Sequence, residues 1–205
     1  MIPAYWLTAV AQLRARDPIL ARLIDSYPDE ALASRDDPFG TLARAIVGQQ
    51  ISVKAAGRLW HKLETAIGPV GPETVVRAGE EALSLCGLSR RKAAYLTALA
   101  DRFLDGSIRP ARWAGVDDEA VIQELLRIKG VGRWTAEMFL IFNLLRPDVL
   151  PLDDIGLKKA MALHYRANRP ITTAEMRAIA HPWRPWRSVA VWYLWRSLDP
   201  EAVAY

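Results

Sequence analysis

Apolar positions recur at three- and four-residue intervals over almost the whole chain, the period of one face of an α-helix. AYWLTAVAQL predicts a first helix and PILARLIDSY, opened by Pro18, a second. In FGTLARAIVGQQIS, Phe39, Leu42, Ala43, Ile46 and Val47 share a face. SVKAAGRLWHKLETAIG sets Ala55, Ala56, Leu59, Trp60 and Leu63 against a face of Lys54, Arg58 and Lys62, and stops at Gly68-Pro69. PETVVRAGEEALSLCG reads as one or two short helices. Ser89 caps RRKAAYLTALADRFLDG, whose stripe is Tyr95, Leu96, Leu99 and Phe103, and DDEAVIQELLRI opens on carboxylates that suit a helix N-terminus. After a glycine break a helix is predicted through Leu145, followed by the loop RPDVLPLDD. The helix IGLKKAMALHY, a helix capped by Thr172 or Thr173 and a Trp-rich final helix complete the chain. No alternating run is flanked by hairpin dipeptides, so the predicted fold is all-α, two helical lobes flanking a cleft. No repeat, low-complexity stretch or Gly/Ser linker marks a boundary, and residues 1–205 read as a single domain of two helical subdomains.

The glycine break carries the first candidate chemistry. KGVGRWTA joins two helices through Gly130 and Gly132, which permit positive φ and strip side chains from a place where something can approach the backbone. The amides that open the next helix form a positive dipole end suited to an anion, and Lys129 and Arg133 add charge beside them. Val131 is expected to pack into the turn and fix its angle. Taken alone, the glycines fit equally a tight turn that binds nothing.

Asp153 and Asp154 follow about twenty residues later at a predicted helix start. Neighbouring residues point in different directions, so the division expected is Asp153 capping the helix and Asp154 facing the cleft. A pair of plain helix-start carboxylates fits the same letters.

Composition narrows the classes. Half of the 205 residues are apolar and about a quarter charged, an ordinary globular balance. No apolar run approaches the roughly 20 residues needed to span a bilayer, and the N-terminal stretch lacks the pattern of a signal peptide. No membrane partner and a cytoplasmic, nucleoid-associated protein of prokaryotic type are expected. The single cysteine, Cys86, excludes an intramolecular disulfide and a multi-cysteine metal site, and His61, His164 and His181 have no ligand spacing. A net charge of +4 and a pI near 9.4 lean towards nucleic acid only weakly. Five of the eight tryptophans, Trp134, Trp183, Trp186, Trp192 and Trp195, fall after residue 130. Each singly reads as core, yet tryptophans among arginines also build base-stacking pockets.

KGVGRWTA resembles the hairpin of the helix-hairpin-helix DNA glycosylase superfamily. LPLDD falls where that family carries its Asp-bearing segment. ARAIVGQQIS, GLSRRKAAYL and PWRSVAVWYLW resemble further segments of its alkylbase branch, the 3-methyladenine DNA glycosylase II enzymes. Five such segments in order span roughly Asp37 to Leu198.

The resemblance implies a monofunctional glycosylase that hydrolyses the N-glycosidic bond of alkylated purines, 3-methyladenine-type and 7-methylguanine. Its partner is double-stranded DNA carrying such bases, bound by a monomer. Asp154 becomes the catalytic carboxylate, Gln50 (with Gln49) the wedge that fills the gap left by a flipped base, and Trp134, Trp195 and Met138 the base pocket, with the two tryptophans opposite each other across the cleft. Met138 stands where a relative carries tyrosine, which leaves the preferred base open. Lys129, Gly130, Gly132, Arg133 and Thr135 become the phosphate grip, and the carbonyls of Leu126, Ile128 and Val131 a place for Na+ or K+. No other cofactor is implied: the four-cysteine iron–sulfur tail is missing, as is the additional N-terminal β domain of some relatives. Trp134 replaces the lysine that bifunctional members place after the glycine turn to form a Schiff base. Lys54, Arg58 and Lys62, and Arg90, Arg91 and Lys92, are secondary phosphate candidates that read, taken alone, as solvated faces. Two other readings stand beside this one: a glycosylase for another damaged base, and a non-catalytic DNA-binding hairpin module, which would have no need of Asp154. A helical interaction protein would leave the ordered set of glycines, aspartate and tryptophans unexplained.

Overall fold

The computed structural model describes residues 2–198, and among these every regular element is helical. Eleven α-helices are present: α1 (Trp6–Arg16), α2 (Pro18–Ser26), α3 (Pro38–Gly48), α4 (Val53–Ile67), α5 (Pro72–Leu85), α6 (Arg90–Leu104), α7 (Asp118–Leu125), α8 (Arg133–Phe142), α9 (Ile155–Tyr165), α10 (Thr173–Ala180) and α11 (Arg187–Arg196). Two 3-10 turns, Pro110–Trp113 and His181–Trp183, lie between them. The helices group into two compact units, one of residues Asp36–Phe139 and one of the chain before and after it.

In the Asp36–Phe139 unit, α3 is the buried axis. Eight of its eleven residues are buried, including all five apolar positions predicted to share a face. α4 and α6 pack on it, and Phe39 meets Phe103 edge-on at 5.3 Å. A helix enclosed on most sides can be apolar almost all round, whereas α4 needs only a stripe. Trp60 and Leu63 of α4 are buried, while Lys54, Arg58 and Lys62 stand in solvent. α5 is broken at Gly79, with φ +74°, so the segment read as one or two helices is two turns of helix on either side of a kink.

In the unit of the two chain ends, α11 takes the central place. Ser188 through Trp195 is an unbroken buried run, packed by α9, α2 and α1. Trp6 stacks on Tyr193 and meets Trp192 edge-on. Asp17 caps α2 through one oxygen, and its other oxygen accepts from Tyr165 Oη and Trp183 Nε1, both at 2.9 Å.

Two boundaries differ from the pattern. The helix predicted through Leu145 ends at Phe142, because Leu145 turns left-handed (φ +52°) and the Arg146 amide reaches back to the Leu140 carbonyl. The turn around Trp113 carries no helical period. Its order comes from tertiary contact, with Trp113 Nε1 donating to Glu124 at 2.8 Å and its ring edge-on to Phe139.

Candidate active site

Residues 126–132 form the turn between α7 and α8. The Val131 amide donates to the Ile128 carbonyl, the first helical bond of α8 runs from Ala136 to the Gly132 carbonyl, and Val131 is buried as expected of a turn-fixing residue. Amides 133–135 precede that bond and make up the N-terminal end of the helix. The two glycines have different reasons to be there. Gly130 has φ +89° and lies against the Tyr95 ring, where a Cβ would sit 2.2 Å from Cγ. Gly132 lies outside the positive-φ region, and a Cβ there would meet nothing within 4 Å. Folding therefore makes no visible demand for glycine at 132, where the backbone is exposed.

Of the charged residues flanking the turn, Lys129 is exposed, and Arg133 is pinned by two hydrogen bonds to Glu119 Oε2, at 3.0 and 2.6 Å. The side chain of Thr135, expected in the phosphate grip, turns inward instead. It is 1 % exposed and its hydroxyl accepts the Gln49 amide at 3.0 Å, so the side chain is not available to a phosphate.

The same bond corrects the reading of Gln49 as part of the wedge. Its Nε2 is shared between the Gly130 carbonyl and the Thr135 hydroxyl, both at 3.0 Å. Gln50 is the residue that projects: it is exposed and left-handed, at φ +61°. Lys92, expected either as a secondary phosphate contact or on a solvated face, turns to the protein instead. Its amine reaches the Val47 and Gln49 carbonyls at 2.6 and 2.8 Å, while Arg90 and Arg91 remain exposed.

Asp154, in the unit formed by the chain ends, is the N-cap of α9, the capping role expected of Asp153. Its Oδ1 accepts the Leu157 amide at 2.5 Å and Trp195 Nε1 at 2.8 Å, and the residue is 9 % exposed. Asp153 is the solvent-facing member, 4.0 Å from the Lys158 amine. A carboxylate at a helix N-terminus is stabilised as the anion by the amide dipoles in front of it. The indole N–H then fixes which way its oxygens face, and the indole itself is held by stacking on Phe142 at 5.7 Å and 15°. Gly156 closes the arrangement: a Cβ there would sit 3.1 Å from Asp154 Oδ1 and 3.3 Å from Trp195 Cδ1. The sequence offered one signal for it, a glycine in a first helical turn, where the helix itself has no use for one.

The residues expected to form a base pocket differ in exposure. Trp134 is half-buried in the first turn of α8, Trp195 is 6 % exposed, and Met138 at 1 % is interior packing rather than an open wall. Among the described residues no group of three or more His, Cys, Asp or Glu is placed to hold a metal.

Comparison with known proteins places the chain, with its carboxylate at a helix N-terminus and its glycine-bearing helical turn, in a family. Residues 43–185 match the HhH-GPD superfamily base excision DNA repair proteins, and the chain belongs to that superfamily. DNA-3-methyladenine glycosylase 1 of Schizosaccharomyces pombe is 32 % identical over 185 residues, 87 % of this chain and 80 % of the relative. The solved structure of the fission-yeast 3-methyladenine DNA glycosylase Mag1, in complex with abasic DNA, superposes with a TM-score of 0.83 at 30 % identity, covering 93 % of this chain and 96 % of that one. A DNA-3-methyladenine glycosidase from Bacillus halodurans, 32 % identical, gives a TM-score of 0.76 over 94 % and 89 % of the two chains.

Proposed function

We propose that the protein is a monofunctional DNA glycosylase of base excision repair, which hydrolyses the N-glycosidic bond of alkylated purines of the 3-methyladenine type and leaves an abasic site. The observation that carries this is Asp154, a carboxylate held in one orientation by the Leu157 amide and the Trp195 indole. Breaking the bond between C1′ and the base nitrogen develops positive charge on the sugar, and a fixed anion stabilises that charge as it forms. An alkylated purine is already cationic and departs as a neutral base, so no general acid is required. Water adds to C1′, and its proton leaves to Asp154 or to solvent. The anion is oriented before the reaction, so little reorganisation is needed when charge appears.

The remaining residues serve binding. Double-stranded DNA is gripped through a phosphate at the bare turn of Gly130 and Gly132, with Lys129 beside it, and Gln50 fills the space of the extruded nucleotide. A π-face attracts a cationic base, the role assigned to Trp134 and Trp195. No step requires a cofactor. The carbonyls of Leu126, Ile128 and Val131 are the groups that would hold Na+ or K+. That of Ile128 accepts the Val131 amide, which leaves its second lone pair for an ion. Such an ion would add positive charge beside a bound phosphate.

The test is to incubate the protein and its Asp154→Asn variant with methylated duplex DNA and to analyse the bases set free. Release of methylpurine by the wild type alone is expected. Binding without release would overturn the assignment in favour of a DNA-binding module, and release of a different damaged base from a lesion panel would move it to another substrate.

A further inference from the structure

We propose that Lys92 and the side chain of Gln49 are positioning residues that hold Gln50 ready as the wedge and tie it to the phosphate-gripping turn, an inference that rests on the glycosylase reading above. Gln50 carries a side chain in the left-handed region, at φ +61°, a conformation that persists only where the surroundings hold it. The residue before it supplies that hold in both directions. Lys92 Nζ takes the Gln49 carbonyl at 2.8 Å and the Val47 carbonyl at 2.6 Å, closing the C-terminal end of α3. The Gln49 amide reaches across 81 residues of sequence to the Gly130 carbonyl, and also to the Thr135 hydroxyl.

Both loops are thus braced by one turn of α6. Lys92 holds the first, and Tyr95, three residues on, lies under Gly130 of the second. An ammonium group is a demanding way to end a helix. Burial, and then the charge of Arg91, hold the Lys92 amine below its ordinary pKa, so it has given up water to stay there. A wedge can fill the stack only while the phosphate is held at a fixed distance from it. A rigid link between the two loops meets that requirement.

The experiment uses the full chain and a duplex carrying one 7-methylguanine next to 2-aminopurine, whose fluorescence rises when the stack opens. Lys92→Met keeps the stem and removes the donors. The expected result is a base-release rate in single turnover at least tenfold lower and a fluorescence rise at least threefold smaller, with affinity for undamaged duplex within threefold of wild type. On the same lesion placed in a one-nucleotide bulge, already unstacked, the defect is expected to shrink below threefold. An equal defect on paired and bulged substrates, or equal losses of rate and duplex affinity, would show a merely structural role and overturn the proposal. A rate within threefold of wild type on the paired lesion would do the same.

Gln49→Leu leaves the lysine in place and cuts only the bridge to the turn, so it tests the idea even if Lys92→Met folds poorly. Its release rate should fall at least fivefold. The double variant should be no more than twofold worse than the worse single one, because both act on one loop. Defects that multiply would sink the coupling. If wild type opens the stack but frees no base, the glycosylase reading fails while the fluorescence comparison still decides Lys92.

Discussion

Asp154 does two jobs that substitution can separate. As N-cap it satisfies the Leu157 amide, and it also receives the buried indole N–H of Trp195. Replacing an Asp cap by Ala costs about 1 kcal/mol, within a range of 0.5–2. A buried N–H left without a partner costs about 1–3 kcal/mol. The two losses share one oxygen but fall on different donors, so Asp154→Ala is expected to destabilise by roughly 2–4 kcal/mol. Asp154→Asn keeps an acceptor oxygen in the same place and gives up only the charge, worth about 0.3–1 kcal/mol against the helix dipole. Urea unfolding followed by tryptophan fluorescence reads the difference. With a slope of about 1–3 kcal/mol per molar, the Ala midpoint should fall by roughly 1 M or more and the Asn midpoint by a few tenths. Both variants should lose base release, since neither carries the anion. An Ala variant as stable as the Asn one would refute the reasoning, because the carboxylate would then not be what holds the Trp195 indole and the start of α9. Base release retained by Asp154→Asn would refute the catalytic half.

Three further outcomes are expected. Gly156→Ala should leave the urea midpoint nearly unchanged, since the helix gains about 1 kcal/mol from alanine while the new methyl crowds Asp154 and Trp195 at 3.1 and 3.3 Å. Its single-turnover release rate should nonetheless fall tenfold or more, and an unchanged rate would show that the carboxylate tolerates displacement. Glu119→Gln should free Arg133 for phosphate, tightening undamaged duplex binding several-fold and steepening the salt dependence by about one unit of log–log slope; titration at a series of salt concentrations checks both. His164 lies against Ser197 Oγ at 2.8 Å, and burial, then Arg22, hold its pKa below the usual 6.5. Between the folded and unfolded values the unfolded chain binds more protons, so stability is fully present above pH 6.5 and is lost as pH falls through the folded pKa. His164→Asn should flatten that acid-side loss when urea midpoints are compared at pH 7.5 and 5.5, and an unaltered slope would remove His164 from the account.

Helix existence was legible in the letters because it is local. The spacing of Phe39, Leu42, Ala43, Ile46 and Val47 reports a face whatever covers it, and Gly68 or Ser89 mark ends through their own backbone and side-chain chemistry. A spare Asp at a helix start, a glycine pair and a loop glutamine could likewise be picked out as residue types fit for the chemistry, and the sequence alone determined the all-α fold and that shortlist. Where each side chain points was decided only by tertiary structure. Asp154, not Asp153, caps α9, and what orients its carboxylate further is an indole 41 residues away that reaches the same oxygen. Lys92 turns inward, away from any phosphate, because two carbonyls 43 and 45 residues distant end their helix beneath it. Gln49 leaves the wedge for the turn because Gly130 and Thr135, more than 80 residues on, offer it acceptors. Periodicity repeats every few residues and can be read in a line, but a hydrogen bond between distant segments has no period, and its partners become neighbours only when the chain has folded.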